Sequence, residues 1–164
     1  MRSTTPGARA FVSAAIVATL LISSAPPPPA SAVEPSEASQ VITIAKAQRG
    51  DPWRYGASGP SSFDCSGLVL YAYKQAGDLR LIGNGNYRSA AALYKYFRDR
   101  GRTSRTRATP GDLVVWGSGR HIGIYLGNGM AISTLRSGVR IHAVRAVTIP
   151  FTAYLRTGIY QLPR

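Results

Sequence analysis

The run His121-Ile122-Gly123-Ile124-Tyr125-Leu126-Gly127-Asn128-Gly129-Met130-Ala131-Ile132-Ser133-Thr134-Leu135 reads as a β-hairpin. Alternation puts Ile122, Ile124 and Leu126 on one face and His121, Gly123 and Tyr125 on the other. Pairing Ile124 with Ile132 buries both and implies a three-residue loop, Gly127-Asn128-Gly129. A two-residue loop would pair Ile124 with Ser133 and turn Ile132 outward. The longer loop is therefore expected, and it sets Ser133 on the same face as His121. Working outward, the period is two throughout the region after Pro110-Gly111. Strands are expected at 113–116, 121–126, 130–135, 139–144 and 154–160. Before Pro110 the period is helical. Helices are expected over 40–49, over 65–76 with Gly77 past its end, and over 90–97 with Ser89 as N-cap. Helices first and an antiparallel meander second make an α+β fold, with N-terminal helices packed on a five-stranded antiparallel sheet.

The 164 residues suit one domain. Hydrophobic residues at 45% and charged ones at 16% fit a packed globule and exclude a mostly disordered chain. At the N-terminus, Arg2 and Arg9 precede an apolar run from Phe11 to Ile22, and Ala30-Ser31-Ala32 follows as a small-x-small site. As a helix this run spans about 18 Å, well short of the roughly 30 Å hydrocarbon core. Residues 1–32 are accordingly expected to be a secretory signal peptide cleaved near Ala32. Residues 33–39 are expected to be a flexible lead, and 40–164 the folded domain. The product is expected to be secreted, extracellular or wall-associated, a monomer, and without stable membrane insertion.

The formal charge of +13, with 20 basic and 7 acidic residues, would suggest nucleic acid in a cytosolic protein. An exported protein meets wall polymers and membrane surfaces instead, so anionic wall polymers are the expected partners and nucleic acid is excluded. The run Arg98, Arg100, Arg102, Arg105, Arg107 reads as a solvated loop.

A lone cysteine excludes an internal disulfide framework and leaves too few ligands for a Cys-based zinc site. Cys65 follows Asp64 at the expected start of a helix, where unpaired N–H groups and the dipole favour a thiolate. His121 opens a strand whose face holds Gly123, small enough to leave room for a substrate. A Cys and a His on separate segments are the minimum for a nucleophile with its general base. On these residues alone, Cys65 reads equally as a small buried side chain.

Phe63-Asp64-Cys65-Ser66-Gly67-Leu68-Val69, Pro110-Gly111-Asp112-Leu113-Val114 and His121 through Gly129 together resemble the NlpC family of peptidoglycan-cleaving cysteine peptidases. The resemblance runs from about Ala45 to Tyr160. It implies a papain-like α+β fold and an exported hydrolase of bacterial peptidoglycan. The stem-peptide bond between D-glutamate and the diamino acid is the expected target. No metal or cofactor is needed for such chemistry. The resemblance further implies that Cys65 is the nucleophile and His121 the base. The family's third catalytic position, a polar residue on the next strand, falls on Ser133, where the family usually has His, Asn, Gln or Glu. A short neutral hydroxyl is a departure there, and the loss of a strong orienting group costs rate. His142 is a second candidate orienter, although its strand position reads more readily as exposed.

The same resemblance suggests that Asp64, beside the nucleophile, binds the free amine of a stem peptide; it reads equally as a helix cap, and Ser66 shares the double reading. The family's Pro-Tyr-x-Trp-Gly word is altered here to Pro52-Trp53-Arg54-Tyr55-Gly56. Trp53 and Tyr55 are thus expected to line the substrate cleft, with packing as the other role for Trp53. Asp112 reads as a structural tie of its turn. Two other functions remain open at this point: a non-catalytic peptidoglycan-binding module, and an acyltransferase of the same thiol superfamily.

Overall fold

The computed structural model describes Met1 and residues 36–159. The expected export segment and the first residues of the expected lead lie outside the described residues. Helix α1 spans Glu37–Ala47, three residues ahead of expectation, so the end of the supposed flexible lead is helical. Ser36 explains the early start, because its hydroxyl accepts from the Ser39 N–H at 3.2 Å and caps the first turn. Helix α2 spans Cys65–Gln75 and α3 spans Ala90–Arg98, close to the expected spans. Their caps are Asp64, accepting from the Gly67 N–H, and Ser89, accepting from the Ala92 N–H.

The strands are β1 Thr103–Ser104, β2 Leu113–Trp116, β3 His121–Gly127, β4 Met130–Leu135, β5 Gly138–Ala143 and β6 Phe151–Leu155. They form one antiparallel sheet of six strands, in the order β1-β6-β2-β3-β4-β5. Five strands were expected. The additional strand, β1, is a two-residue edge lying within the arginine run that reads as loop from sequence. Two residues are too few to carry a period. The last strand begins directly after Pro150 and ends before Thr157-Gly158, earlier than the expected 154–160. Thr157 is instead held by Asp112, whose Oδ1 accepts from the Thr157 N–H at 2.8 Å. Asp112 also accepts from Thr109, so the structural role read for it holds.

The hairpin has the expected register, with Ile124 opposite Ile132. Its turn differs. Gly127 pairs with Met130, so the loop is the two residues Asn128-Gly129, both at positive φ (50° and 72°). A bulge between Tyr125 and Gly127 absorbs one residue of β3 and restores the pairing that burial demands.

Leu113, Val115, Ile122, Ile124, Ile132 and Val139 form the inner face of the sheet, against which α2 and its neighbours pack. Each such fully buried aliphatic side chain contributes about 1.5–3 kcal/mol. The opposite face carries a smaller cluster of Val114, Trp116, Ala131 and Val144, partly covered by Val147, Ile149, Phe151 and Tyr154. His121 and Ser133 share this second face. The two layers therefore place the start of α2 and the start of β3 beside each other, with a histidine-bearing face behind.

Candidate active site

Cys65 is the first residue of α2 and is half-buried. Its position is fixed from below by Asp64. Oδ1 of Asp64 accepts from the Gly67 N–H at 2.6 Å and from the Ser66 hydroxyl at 3.1 Å, and Oδ2 accepts from the Gly56 N–H at 3.0 Å. Arg88 closes the set with two guanidinium bonds, to Oδ1 at 3.0 Å and Oδ2 at 2.8 Å, and a third to the Ser66 hydroxyl at 2.8 Å. Gly67 permits the loop before α2 to come this close, since a Cβ there would stand 2.0 Å from the Ala57 carbonyl oxygen. Partial burial works against ionisation of Asp64, but the hydrogen bonds from Arg88 and Gly67, with the Arg88 charge, outweigh it and hold the carboxyl below its usual range. Asp64 is thus a helix cap and half of a bidentate ion pair. An approaching ammonium group would have to displace Arg88 to reach it.

Burial pushes the Cys65 thiol up, and the Asp64 charge adds to that; N–H groups of Ile122, Ser66 and Cys65 itself act in the opposite direction. The helix start alone suggested a resting thiolate. Desolvation wins, because the sulfur sits against the sheet rather than in solvent.

His121 is 7% exposed. Its Nε2 lies 2.9 Å from the Ser133 hydroxyl. Burial, with a smaller contribution from the nearby His142, pushes its pKa down to about 4, so the imidazole is neutral. Gly123 allows the contact with Ser133: a Cβ at 123 would stand 2.6 Å from the Ile132 carbonyl oxygen and 2.8 Å from the Ser133 Cβ. The space that the sequence assigned to substrate is therefore occupied by the neighbouring strand. His142, expected to be exposed, is half-buried, and its Nε2 lies 2.8 Å from the same Ser133 hydroxyl. The register explains this, for His142 stands opposite the small Ala131, which leaves its ring free to lean toward Ser133. Behind both imidazoles lies Trp116, with ring centroids 5.2 Å from His121 and 5.7 Å from His142. Its indole N–H donates to the Val144 carbonyl at 2.8 Å. The sequence points to no role for Trp116, and of the pair Arg88-Ser89, which resembles the family's Arg-Ser/Thr entry to a helix, it accounts only for Ser89 as the cap. For Trp116 the available signal is a tryptophan at the end of the expected strand that precedes the candidate histidine.

A cleft of about 820 Å³ brings together Trp53, Tyr55, Asp64, Cys65, Ser66 and His121. Ser133 does not line it and stands fully buried behind His121. Trp53 is half-buried and carries the Arg136 guanidinium 4.2 Å above its ring, while Tyr55 is 87% exposed at the rim. Arg88, Arg120 and Arg136 also line the cleft, against Asp64 as its carboxylate. Among the described residues no group of three or more His, Cys, Asp and Glu could hold a metal ion. No described helix is long and apolar enough to cross a membrane.

The chain is similar to several known proteins. The chain is 42% identical over 106 residues to a protein named probable endopeptidase p60 from Listeria grayi, covering 63% of this chain and 19% of that protein. It is 40% identical over 100 residues to murein DD-endopeptidase MepH of Escherichia coli K12, covering 57% of this chain and 35% of the relative. It therefore spans about a fifth and about a third of the length of these two relatives. Among solved structures, RipD of Mycobacterium tuberculosis, described as a non-catalytic NlpC/p60 domain protein adapted to peptidoglycan binding, aligns with TM-score 0.59 and 29% identity. That alignment covers 73% of this chain and 95% of RipD. The profile of the NlpC/P60 family matches residues 39–154, from α1 to β6, taking in both candidate catalytic segments. By that match over most of its length, the chain belongs to the NlpC/P60 family.

Proposed function

We propose that this chain is an exported endopeptidase that cuts the peptide stems of bacterial peptidoglycan by Cys65–His121 catalysis, at the D-glutamyl–diamino acid bond. The observation that carries this reading is the opening of Cys65 and His121 into one cleft, with His121 held from behind by Ser133. Family membership and the endopeptidase names of two relatives support it. The arginines along the cleft suit a substrate rich in carboxylates. The leader read in residues 1–32 supports export.

Because the thiol and the imidazole both rest neutral, the reaction begins with proton transfer rather than from a preformed ion pair. His121 takes the Sγ proton as the sulfur attacks the amide carbon. The tetrahedral oxyanion forms near the Cys65 N–H, one of the first-turn donors for which α2 has no carbonyl. The imidazolium then protonates the leaving amine. Water, deprotonated by His121, attacks the thioester, releases the carboxylate and restores the thiol.

Digestion of purified sacculi by wild type and by Cys65→Ala tests the proposal. Release of stem fragments by wild type, absent in Cys65→Ala, is expected, and product analysis identifies the bond. Equal release by both would overturn catalysis at this thiol. Binding of sacculi without cleavage by either would select a wall-binding module, the role described for RipD.

A further inference from the structure

The hydrogen bonds behind His121 continue past the expected third residue. His142 Nδ1 lies 3.0 Å from the Ala143 carbonyl oxygen, and a carbonyl only accepts, so Nδ1 carries the proton. In a neutral His142 the Nε2 is then an acceptor, and at 2.8 Å it takes the single proton of the Ser133 hydroxyl. With that proton committed, Ser133 has only lone pairs to offer His121 at 2.9 Å. His121 must donate from Nε2, which leaves its Nδ1 unprotonated. Each step follows from the donor and acceptor capacity of the group involved. Without His142 the Ser133 hydroxyl could donate or accept, and neither tautomer of His121 would be preferred.

We propose that His142 is a positioning residue that acts through Ser133, so that the chain Ala143 carbonyl, His142, Ser133, His121 sets the catalytic tautomer. This rests on the Cys65–His121 reading above. Two neutral groups in series thereby do the work of one strong orienting side chain, and the departure at Ser133 is compensated one strand further on. Trp116 lies against both imidazoles and restricts their tilt.

Protonation of His142 inverts the chain. Its Nε2–H then donates to Ser133, the hydroxyl turns its proton toward His121 Nε2, and the His121 proton moves to Nδ1, where it blocks uptake of the thiol proton. The titratable and charged groups on this face are His121 and Tyr125 from β3, Tyr154 from β6, whose ring centroid lies 5.1 Å from that of Tyr125, and Arg140 beside His142 on β5. Arg145, just beyond β5, lies over the Phe151 ring at 4.7 Å. β2 presents Trp116 and Val114, and β4 presents Ala131 and Ser133, none of which ionises here.

Two measurements test the inference. The chain has two histidines, so ¹⁵N imidazole spectra of His121 and His142 can be assigned by single substitution and need no activity. At neutral pH, Nε2–H is expected for His121 and Nδ1–H for His142, with His121 becoming a tautomer mixture in His142→Ala. A wild-type-like His121 spectrum in His142→Ala would overturn the proposal. In sacculus digestion, His142→Ala is expected to lower kcat about 10- to 100-fold with KM little changed. Ser133→Ala should be at least as severe, and Ser133→Ala/His142→Ala no worse than Ser133→Ala alone. His142→Gln, which accepts from Ser133 but takes up no proton, should recover activity and extend it to lower pH than wild type. Active wild type with identical pH profiles in all His142 variants would defeat the proposal while sparing the Cys65 reading. Inactive wild type with the expected spectra would do the reverse.

Discussion

The two sides of the cleft are built on opposite electrostatic principles. On the Cys65 side, an ionised carboxylate is saturated by a bidentate arginine, a serine and two backbone N–H groups. On the His121 side, hydroxyl and imidazole groups are linked without any carboxylate, against a buried indole. The first arrangement is half-exposed, and its charges fix a helix terminus. The second is buried at His121 and Ser133, where an unpaired charge would cost several kcal/mol, and it fixes a proton position instead. Charge thus serves for geometry where water can screen it, and neutrality serves for chemistry where water is excluded.

The sharpest way to break this contrast is acid. His121 is held near 4, below the ordinary histidine value of 6.5. The folded state therefore binds fewer protons than the unfolded one between these values. The stability from keeping His121 neutral is complete above pH 6.5 and is lost as pH falls toward 4. Denaturant melts should show a loss of roughly 3 kcal/mol over that window beyond what His121→Gln shows. Equal acid sensitivity of the two would place the destabilisation elsewhere.

Overpacking comes next. Gly123→Ala pushes a methyl into the Ile132 carbonyl and the Ser133 Cβ. It is expected to cost about 2 kcal/mol and to lower cleavage at least as much as His142→Ala, by parting His121 from Ser133. A fully active, stable Gly123→Ala would show that the close approach of β3 and β4 is dispensable.

On the ionic side the effects are smaller. Asp64→Asn keeps a side-chain acceptor for the helix but gives up the ion pair with Arg88, at about 1 kcal/mol. The Asp64 carboxyl sits below its unfolded value near 4, so its contribution is present above that pH and disappears as pH falls through the folded value. The variant should lack that part of the acid slope. Its Cys65 thiol should ionise at lower pH, because a charge that raises it is gone, and alkylation rate against pH measures this. Smallest of all, Arg136→Ala removes the cation over Trp53 and should change stability by about 0.5 kcal/mol. A rise in KM for sacculus fragments without a change in kcat would assign Arg136 to substrate binding.

Local pattern carried most of the fold. Ser89, Asp64 and Gly77 bracket their helices as capping chemistry requires, and alternation with burial selected the pairing of Ile124 with Ile132 over its one-residue slip. The misses have particular causes. The sequence pattern places Ser36 in a lead because a cap is invisible until its helix is placed. The pattern implies a three-residue turn because a bulge and a two-residue loop satisfy the same register. Strand character at Thr157 points to a β6 lying further along than it does, because the pattern of residues does not show that Asp112, at the entry to the neighbouring strand β2, takes up the Thr157 N–H.

The candidate site divides in the same manner. Cys65 at a helix start, His121 at a strand start and Ser133 on the same face of the hairpin follow from the order of residues alone, since helix and strand periods are properties of neighbours in sequence. The partnership of Asp64 with Arg88, the lean of His142 over Ala131 onto Ser133, the indole of Trp116 behind two imidazoles and the neutrality of His121 were decided by tertiary structure. These depend on which strand lies beside which and on how much water remains between them. Periodicity assigns a side chain to a face, but only packing chooses its neighbour and its dielectric surroundings.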